Sequence, residues 1–332
     1  MAGDIALYLP SGATATAANL SAEEAGGSDE FADAVLSGLA RRPRSIPCRF
    51  FYDARGSELF EEITKLDEYY PTRTETALLE AHGEEIAELA GSGRILVEFG
   101  SGSSRKTSLL LGALGDVPAY IPIDIAAESL REAAEWLSGR HDGLTILPVI
   151  ADFSATRVLP PIVHGQRRFG FFSGSTIGNL TRAEARAFLS NAAHLLGPGS
   201  AFLIGVDLKK DATILLPAYD DAKGVTAEFN LNLLTRINRE LDGTFDRGRF
   251  AHEAIYNEAA GRIEIYIRSL AKQIVRVKDR AFALAEGERI HTENSHKYTV
   301  AEFQSLAASS GWRPVKAWTD AAQLFSLHLL RL

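Results

Sequence analysis

Residues 94–106 read Arg-Ile-Leu-Val-Glu-Phe-Gly-Ser-Gly-Ser-Ser-Arg-Lys, and no other stretch limits the fold of this chain so tightly. The apolar run Ile95, Leu96, Val97 has the length and branching of a strand buried on both faces. Gly100 and Gly102 follow at once, and the segment 106–114 has helical patterning. Glycine serves where a backbone must turn sharply or lie against a bound molecule. A strand, a glycine turn and a helix start, in that order, put a ligand at the carboxyl edge of a parallel sheet. A tight turn in some other α/β fold would leave the same trace, so the neighbours have to decide.

The neighbours repeat the pattern. Strands are predicted at 95–99, 119–125, 145–151, 169–173 and 201–206, with helices at 106–114, 126–137 and 182–195. Such alternation belongs to a parallel sheet covered by helices on both sides. Acidic residues stand at the ends of three successive strands: Glu98, Asp124 and Asp152. The third glycine of the dinucleotide fingerprint is missing, and the acidic residue precedes the glycines. Glu98-x-Gly100-x-Gly102 is the form commoner in proteins that bind S-adenosylmethionine. Asp124 can accept both hydroxyls of a ribose. Asp152 can accept from the exocyclic amine of adenine, with Phe153 beside the ring. Each carboxylate could instead cap a helix or hold a turn, but three in register favour a ligand. The fourth strand runs into Ser173-Gly174-Ser175-Thr176-Ile177-Gly178-Asn179, whose small residues leave room for a substrate. Asn179 either caps the next helix or offers a donor and an acceptor to that substrate.

The flanks differ. Residues 1–28 are rich in Ala, Gly and Ser and read as a flexible N-terminal arm, with a helix beginning at 28. The segments 49–60 and 68–75 are dense in aromatics. Tyr52 and Tyr69 suit either a core or a pocket wall that also donates a hydrogen bond, whereas the phenylalanines, Phe60 among them, read as core. A helix at 74–89 carries Glu75 on its polar positions. Beyond residue 210 the alternation stops. A long helical run, 224–241, precedes an antiparallel pair, 251–257 and 262–269, with 272–277 expected to join it. Glu293 and Ser295 alternate, so on an extended backbone they point the same way. A helix at 300–309 and a terminal antiparallel pair, 312–319 and 324–332, close the chain. The expected layout is an arm (1–28), an inserted α+β substrate subdomain (29–73 and 210–296) and a sheet domain (74–209 and 297–332).

Composition removes several classes. A net charge of -8 without a long basic run argues against nucleic-acid binding. The single cysteine, Cys48, excludes an intramolecular disulfide and a cysteine zinc cluster, and His291 and His296 lack metal-ligand spacing, so no metal is expected. No apolar stretch is long enough for a bilayer and the N-terminal residues show no charged-then-apolar leader pattern, so no membrane partner is expected and cytoplasmic residence is the default. A monomer is expected.

Taken together, six blocks resemble one family, the histidine-specific methyltransferases that make the trimethylammonium betaine of histidine, hercynine, in ergothioneine biosynthesis. The blocks are Phe51-Tyr52-Asp53-x-x-Gly56-Ser57-x-Leu59-Phe60, Glu68-Tyr69-Tyr70-Pro71-Thr72-Arg73, Glu98-x-Gly100-x-Gly102-x-x-x-Lys106-Thr107, Ser173 to Asn179, Ala218-Tyr219-Asp220-Asp221-x-x-Gly224-Val225-Thr226 and Thr292-Glu293-x-Ser295-x-Lys297-Tyr298. The resemblance runs from about residue 30 to the C-terminus. It implies a Rossmann-like seven-stranded methyltransferase sheet with an inserted substrate subdomain, S-adenosylmethionine as methyl donor, and L-histidine as substrate. It also implies roles. Asn179 and Tyr219, near Gly174, would hold the α-carboxylate and amine region. Tyr52 would approach the methylated nitrogen, with Phe60 beside it, as the catalytic tyrosine. Tyr69, Glu293 and Ser295 would surround the imidazole. Glu98, Gly100, Gly102, Lys106, Asp124, Asp152 and Phe153 would serve the cofactor. The family carries Met at the pocket position matching Ile265, whose branched, shorter side chain reshapes that wall. The alternatives are an α-N-methyltransferase for another aromatic amino acid and a non-catalytic S-adenosylmethionine-binding regulatory protein; the joint presence of Tyr52, Asn179, Tyr219 and Glu293 argues against the latter.

Overall fold

The structure, a computed structural model, describes residues 17–102, 104–161 and 165–332. In chain order its elements are α1 (Ala17–Ala40), β1 (Arg44–Ser45), α2 (Ala54–Ile63), α3 (Tyr70–Ala90), β2 (Ile95–Phe99), α4 (Ser104–Leu114), β3 (Ala119–Asp124), α5 (Ala127–Ser138), β4 (Thr145–Ile146) and β5 (Val149–Ile150). Then come β6 (Arg168–Phe172), α6 (Arg182–Leu196), β7 (Ala201–Asp207), α7 (Ala212–Leu215), α8 (Val225–Glu240), β8 (Phe250–Asn257), β9 (Arg262–Ser269), β10 (Gln273–Val277), β11 (Arg280–Leu284), β12 (Arg289–His296), α9 (Val300–Ser309), β13 (Arg313–Thr319) and β14 (Phe325–Arg331). Of the predicted arm, residues 1–16 lie outside the described residues. The backbone of 17–28 is helical, because Ala and Glu are strong helix formers even where large apolar side chains are scarce.

The chain divides into two units. The first holds 71–209 and 297–332. Its sheet runs β13-β14-β7-β6-β2-β3-β4, with β5 also on β3. The strands from β4 to β7 are parallel; β14 opposes β7 and β13 opposes β14. The single strand predicted at 145–151 is two short pieces, split at Leu147-Pro148, because proline has no N–H to give the ladder. Burial follows the two-residue period of a strand. Val97, Phe99, Ile121, Ile123, Phe202 and Ile204 point to one face, where α6 and α9 supply Phe188, Leu189, Phe303 and Leu306. Leu96, Tyr120, Phe169, Phe171, Leu203 and Leu327 point to the other, against Leu78, Ile86, Leu110 and Leu137 from α3, α4 and α5.

The place where the chain leaves this unit and the place where it returns are joined. Leu208 bridges Tyr298 in parallel, the Tyr298 N–H donates to the Asp207 carbonyl at 3.2 Å, and the Lys209 N–H donates to the Tyr298 carbonyl at 2.9 Å. Beside them Lys297 Nζ donates to Asp207 Oδ2 at 2.6 Å, with both side chains wholly buried. An insertion between 209 and 297 therefore costs the sheet nothing, since its ends are already held together.

The second unit holds 17–70 and 210–296. Its sheet runs β1-β12-β9-β8, antiparallel except for β1 on β12. Strand β10 does not extend this sheet as predicted. It pairs with β11 in a separate hairpin, because the two-residue turn Lys278-Asp279, with Lys278 at φ 50°, folds the chain back on itself. Gly224, at φ +75°, precedes helix α8, and Asp221 caps the helix by accepting from the Val225 N–H at 3.0 Å and the Thr226 N–H at 2.7 Å.

Candidate active site

In the first unit, Gly100 sits at φ +73° and its N–H donates to the Ile123 carbonyl at 2.8 Å. A Cβ there would stand 3.6 Å from the Phe153 ring, so the ring lies over the glycine. Asp124 closes β3 and accepts from the Ala126 N–H at 3.0 Å. Burial raises its carboxyl above the usual carboxylate range, while the backbone N–H groups of Ala126, Ile125 and Ser101 pull the other way. Asp152 Oδ1 accepts from the Ser154 N–H at 2.8 Å and its hydroxyl at 2.6 Å, a turn that presents Phe153. Gly100, Asp124 and Phe153 thus meet at the carboxyl edge of the sheet, with exposed Gly102 facing open space. The Ser101 hydroxyl beside them is buried without a partner among the described residues. A polar ligand with a flat ring and adjacent hydroxyls fits this set: a glycine cradle, a carboxylate, an aromatic face and an unspent hydroxyl.

Glu98, expected to meet the ligand, lies instead beneath the loop. It is almost wholly buried; the Thr107 hydroxyl is 2.9 and 3.0 Å from its two oxygens, and the Tyr120 hydroxyl donates to one of them. It ties β2 to β3 and to the start of α4, and so supports the loop from inside. Burial pushes its carboxyl up to about 7, against the pull of Tyr120 and Thr107. The folded value lies above the ordinary 4.5, so the folded state holds this proton more tightly. The resulting stabilisation is full below the unfolded value and is lost as pH rises through the folded one. Glu98→Gln, which cannot titrate, should flatten the stability curve between these two values, as read from urea midpoints across that range.

Helix α3 corrects another expectation. Glu75, predicted on a polar face, is fully buried. Its Oε2 accepts from Lys106 Nζ at 2.6 Å and from the Gly174 N–H at 2.8 Å. One carboxylate therefore joins Lys106, expected to serve the cofactor, to Gly174, expected to serve the substrate. A Cβ at Gly205 would lie 2.0 Å from Glu75 Oε1, so β7 must carry glycine there. That glycine, alone in the apolar run Phe202-Leu203-Ile204-Gly205-Val206, is the sequence signal that something approaches closely. Asn179 ends the single turn Thr176–Asn179. The cap of α6 is Thr181, in a reciprocal pair with Glu184, so capping is not the task of Asn179.

In the second unit, the predicted aromatics form a chain of contacts. The Tyr52 and Phe60 rings are 5.7 Å apart, Phe60 and Tyr69 6.3 Å, and Tyr69 and Tyr219 6.3 Å, all edge to face. The Tyr219 hydroxyl then meets Ser295 Oγ at 2.8 Å. Asp53 anchors the Tyr52 end. It caps α2 through the Gly56 N–H at 2.8 Å and binds Asn232 at 2.8 Å and Arg239 at 2.7 Å. Burial would raise its carboxyl, but Arg239, the Gly56 N–H and Asn232 together hold it below its usual range. On β12, Glu293 stands opposite Ile265 of β9, and Ser295 opposite Ile263. Phe229 of α8 lies within the predicted helical run 224–241, and nothing in the sequence singled it out. It lies 5.6 Å from Tyr52 and 6.0 Å from Phe60, within the aromatic chain.

A parallel sheet of this order, finished by an antiparallel hairpin, is a Rossmann-like α/β fold. Residues 31–332 match the family described as "Histidine-specific methyltransferase, SAM-dependent". The chain is similar to the histidine N-alpha-methyltransferase of Mycolicibacterium smegmatis, 44% identical over 89% of this chain and 92% of that one. The protein of the same name from Mycobacterium tuberculosis is 43% identical over the same shares. Ergothioneine biosynthesis protein 1 of Neurospora crassa is 34% identical over 87% of this chain and 33% of its own length. The chain belongs to the histidine-specific, S-adenosylmethionine-dependent methyltransferase family. Among the described residues, no helix is long and apolar enough to cross a membrane.

Proposed function

We propose that this protein methylates the α-amine of L-histidine three times to give hercynine, a step in ergothioneine biosynthesis. The observation that carries this is the contact chain Tyr52–Phe60–Tyr69–Tyr219–Ser295, with Glu293 two residues along the same strand, in a member of this family. S-adenosylmethionine supplies an electrophilic methyl group on a sulfonium. Gly100 and Gly102 give it backbone approach, Asp124 accepts from its ribose, Asp152 and Phe153 meet its adenine, and Lys106 offers a cation to its carboxylate. Glu98 and Glu75 hold these groups in place.

The amine has to be neutral and in line with the methyl–sulfur bond, so positioning supplies most of the acceleration. Tyr52 orients the amine through its hydroxyl. No strong base is needed, because a free amine loses its proton to water before attack. Once methylated, the nitrogen is a poorly hydrated cation, which the faces of Tyr52 and Phe60 stabilise by about 0.5–2 kcal/mol. Asn179 and Tyr219 hold the α-carboxylate and so reject amines that lack one. Glu293 accepts from the imidazole N–H, a charge-assisted bond roughly twice as strong as a neutral one. Ser295, already bonded to Tyr219, couples ring recognition to carboxylate recognition. Tyr69 and Ile265 form the apolar wall. The reading includes a cytoplasmic monomer without metal or nucleic acid; the net charge of -8 supports the last point.

The test is mass spectrometry of a reaction holding the protein, S-adenosylmethionine and an equimolar mixture of the common amino acids. Histidine heavier by three methyl groups is the expected product. Methylation of another aromatic amino acid instead would move the assignment of the Ile265 and Glu293 wall. No methylated amino acid at all would overturn the reading.

A further inference from the structure

Strand β12 carries a bulge between His291 and Glu293. His291 pairs with Tyr266 and Glu293 with Ile265, so Thr292 is the extra residue with no place in the ladder. In a regular ladder Thr292 would stand opposite Ile265 and Glu293 opposite Glu264, two like charges side by side, on the face where Tyr266 donates to the Glu264 carboxylate at 2.6 Å. The extra residue shifts Glu293 and Ser295 to the face of Ile265 and Ile263.

What holds the bulge is a buried polar network. The Thr292 hydroxyl lies 2.9 Å from Asn230 Oδ1 and 3.2 Å from the Ile265 carbonyl. Asn230 Nδ2 donates to the Tyr266 carbonyl and to His252 Nδ1, each at 2.9 Å. His252 Nε2 donates to the Tyr219 carbonyl at 2.8 Å. The amide orientation and the tautomer are assigned from this pattern: only with Oδ1 toward Thr292 and the imidazole proton on Nε2 does every donor meet an acceptor. Thr292 and Asn230 are each 1% exposed. A fully satisfied buried network is rigid. This one grips the backbone at Tyr219, Ile265 and Tyr266, and holds the residue next to Glu293.

We propose that Thr292, Asn230 and His252 are positioning residues that set selectivity for histidine, by fixing Glu293 beside Ile265 and seating Tyr219. The inference rests on the functional reading above and extends it to three residues that touch the substrate only through others.

The test is steady-state kinetics of the full chain with Thr292→Val, which keeps shape and removes the hydroxyl, beside Thr292→Ser, which keeps the hydroxyl. Thr292→Val should raise the KM for histidine about tenfold, in line with the loss of one buried hydrogen bond, and leave the KM for S-adenosylmethionine unchanged. Thr292→Ser should restore most of the difference. His252→Gln, the second variant, should show the same selective rise, and it carries the test if Thr292→Val loses its circular-dichroism spectrum. An unchanged histidine KM, an equal rise in both KM values, or no rescue by serine would overturn the proposal. A wild-type protein that fails to methylate histidine would overturn the functional reading instead, and the control reaction shows which of the two has failed.

Discussion

Lys297→Met should destabilise the sheet unit by about 3–5 kcal/mol, the usual loss when one partner of a buried ion pair is removed. Lys297 Nζ and Asp207 Oδ2 are 2.6 Å apart with both side chains wholly buried, so the substitution removes a cation from beside a carboxylate in the interior. The pair also stands where β7 ends and the chain re-enters, beside the Leu208–Tyr298 bridge. The effect should therefore spread to the register of that crossing. Urea unfolding followed by tryptophan fluorescence reads this unit directly, since all three tryptophans, Trp136, Trp312 and Trp318, lie in it. Lys297→Met combined with Asp207→Leu should recover most of the loss, because two apolar residues in place of a buried pair are often neutral. A loss under about 1 kcal/mol for the single variant would mean that water reaches the pair.

The second large effect is on chemistry. Glu293→Ala should lower kcat/KM for histidine by roughly 10- to 100-fold, the scale of one hydrogen bond to a charged group. The affinity for S-adenosylhomocysteine, measured by calorimetry, should not change. Relative acceptance of amino acids without a ring N–H should rise in the same variant. If histidine turnover and cofactor affinity fell together, Glu293 would be supporting the fold of its unit rather than reading the substrate.

Legibility in the sequence followed the range of the interaction concerned. The strand, glycine turn and helix at 95–114 were legible because each depends on neighbours within a few residues. The same holds for the parallel strands and the terminal hairpin, whose apolar runs and two-residue alternation are written locally. Pro148 shows the limit of that method. The run 145–151 has strand composition, but one missing N–H divides its ladder. Strand β10 shows a second limit. Its alternation fits any sheet, and the turn at Lys278-Asp279 gave it to the nearest partner.

The six blocks also named the candidate site residues, and the structure shows how several are held. Tyr52, Phe60, Tyr69, Tyr219 and Ser295 come from four of the blocks and meet in one line of contacts. Glu98 contains its own correction. A carboxylate before two glycines looks like a ligand group, yet its position on β2 turns it toward Tyr120 and Thr107.

By itself, then, the sequence determined the sheet, the glycine loop and the kinds of side chain present, because backbone propensity and apolar periodicity act over a few residues. Only the tertiary structure decided what Glu75, Phe229, Thr292 and Asn230 do. Glu75 looks like a solvated helix position until Lys106 and Gly174 close on it. Thr292 looks like an ordinary strand residue until the register against β9 leaves it over. Their roles come from partners tens to hundreds of residues away. A buried polar group takes its meaning from the partner that satisfies it, and that partner is set by packing, not by sequence neighbourhood.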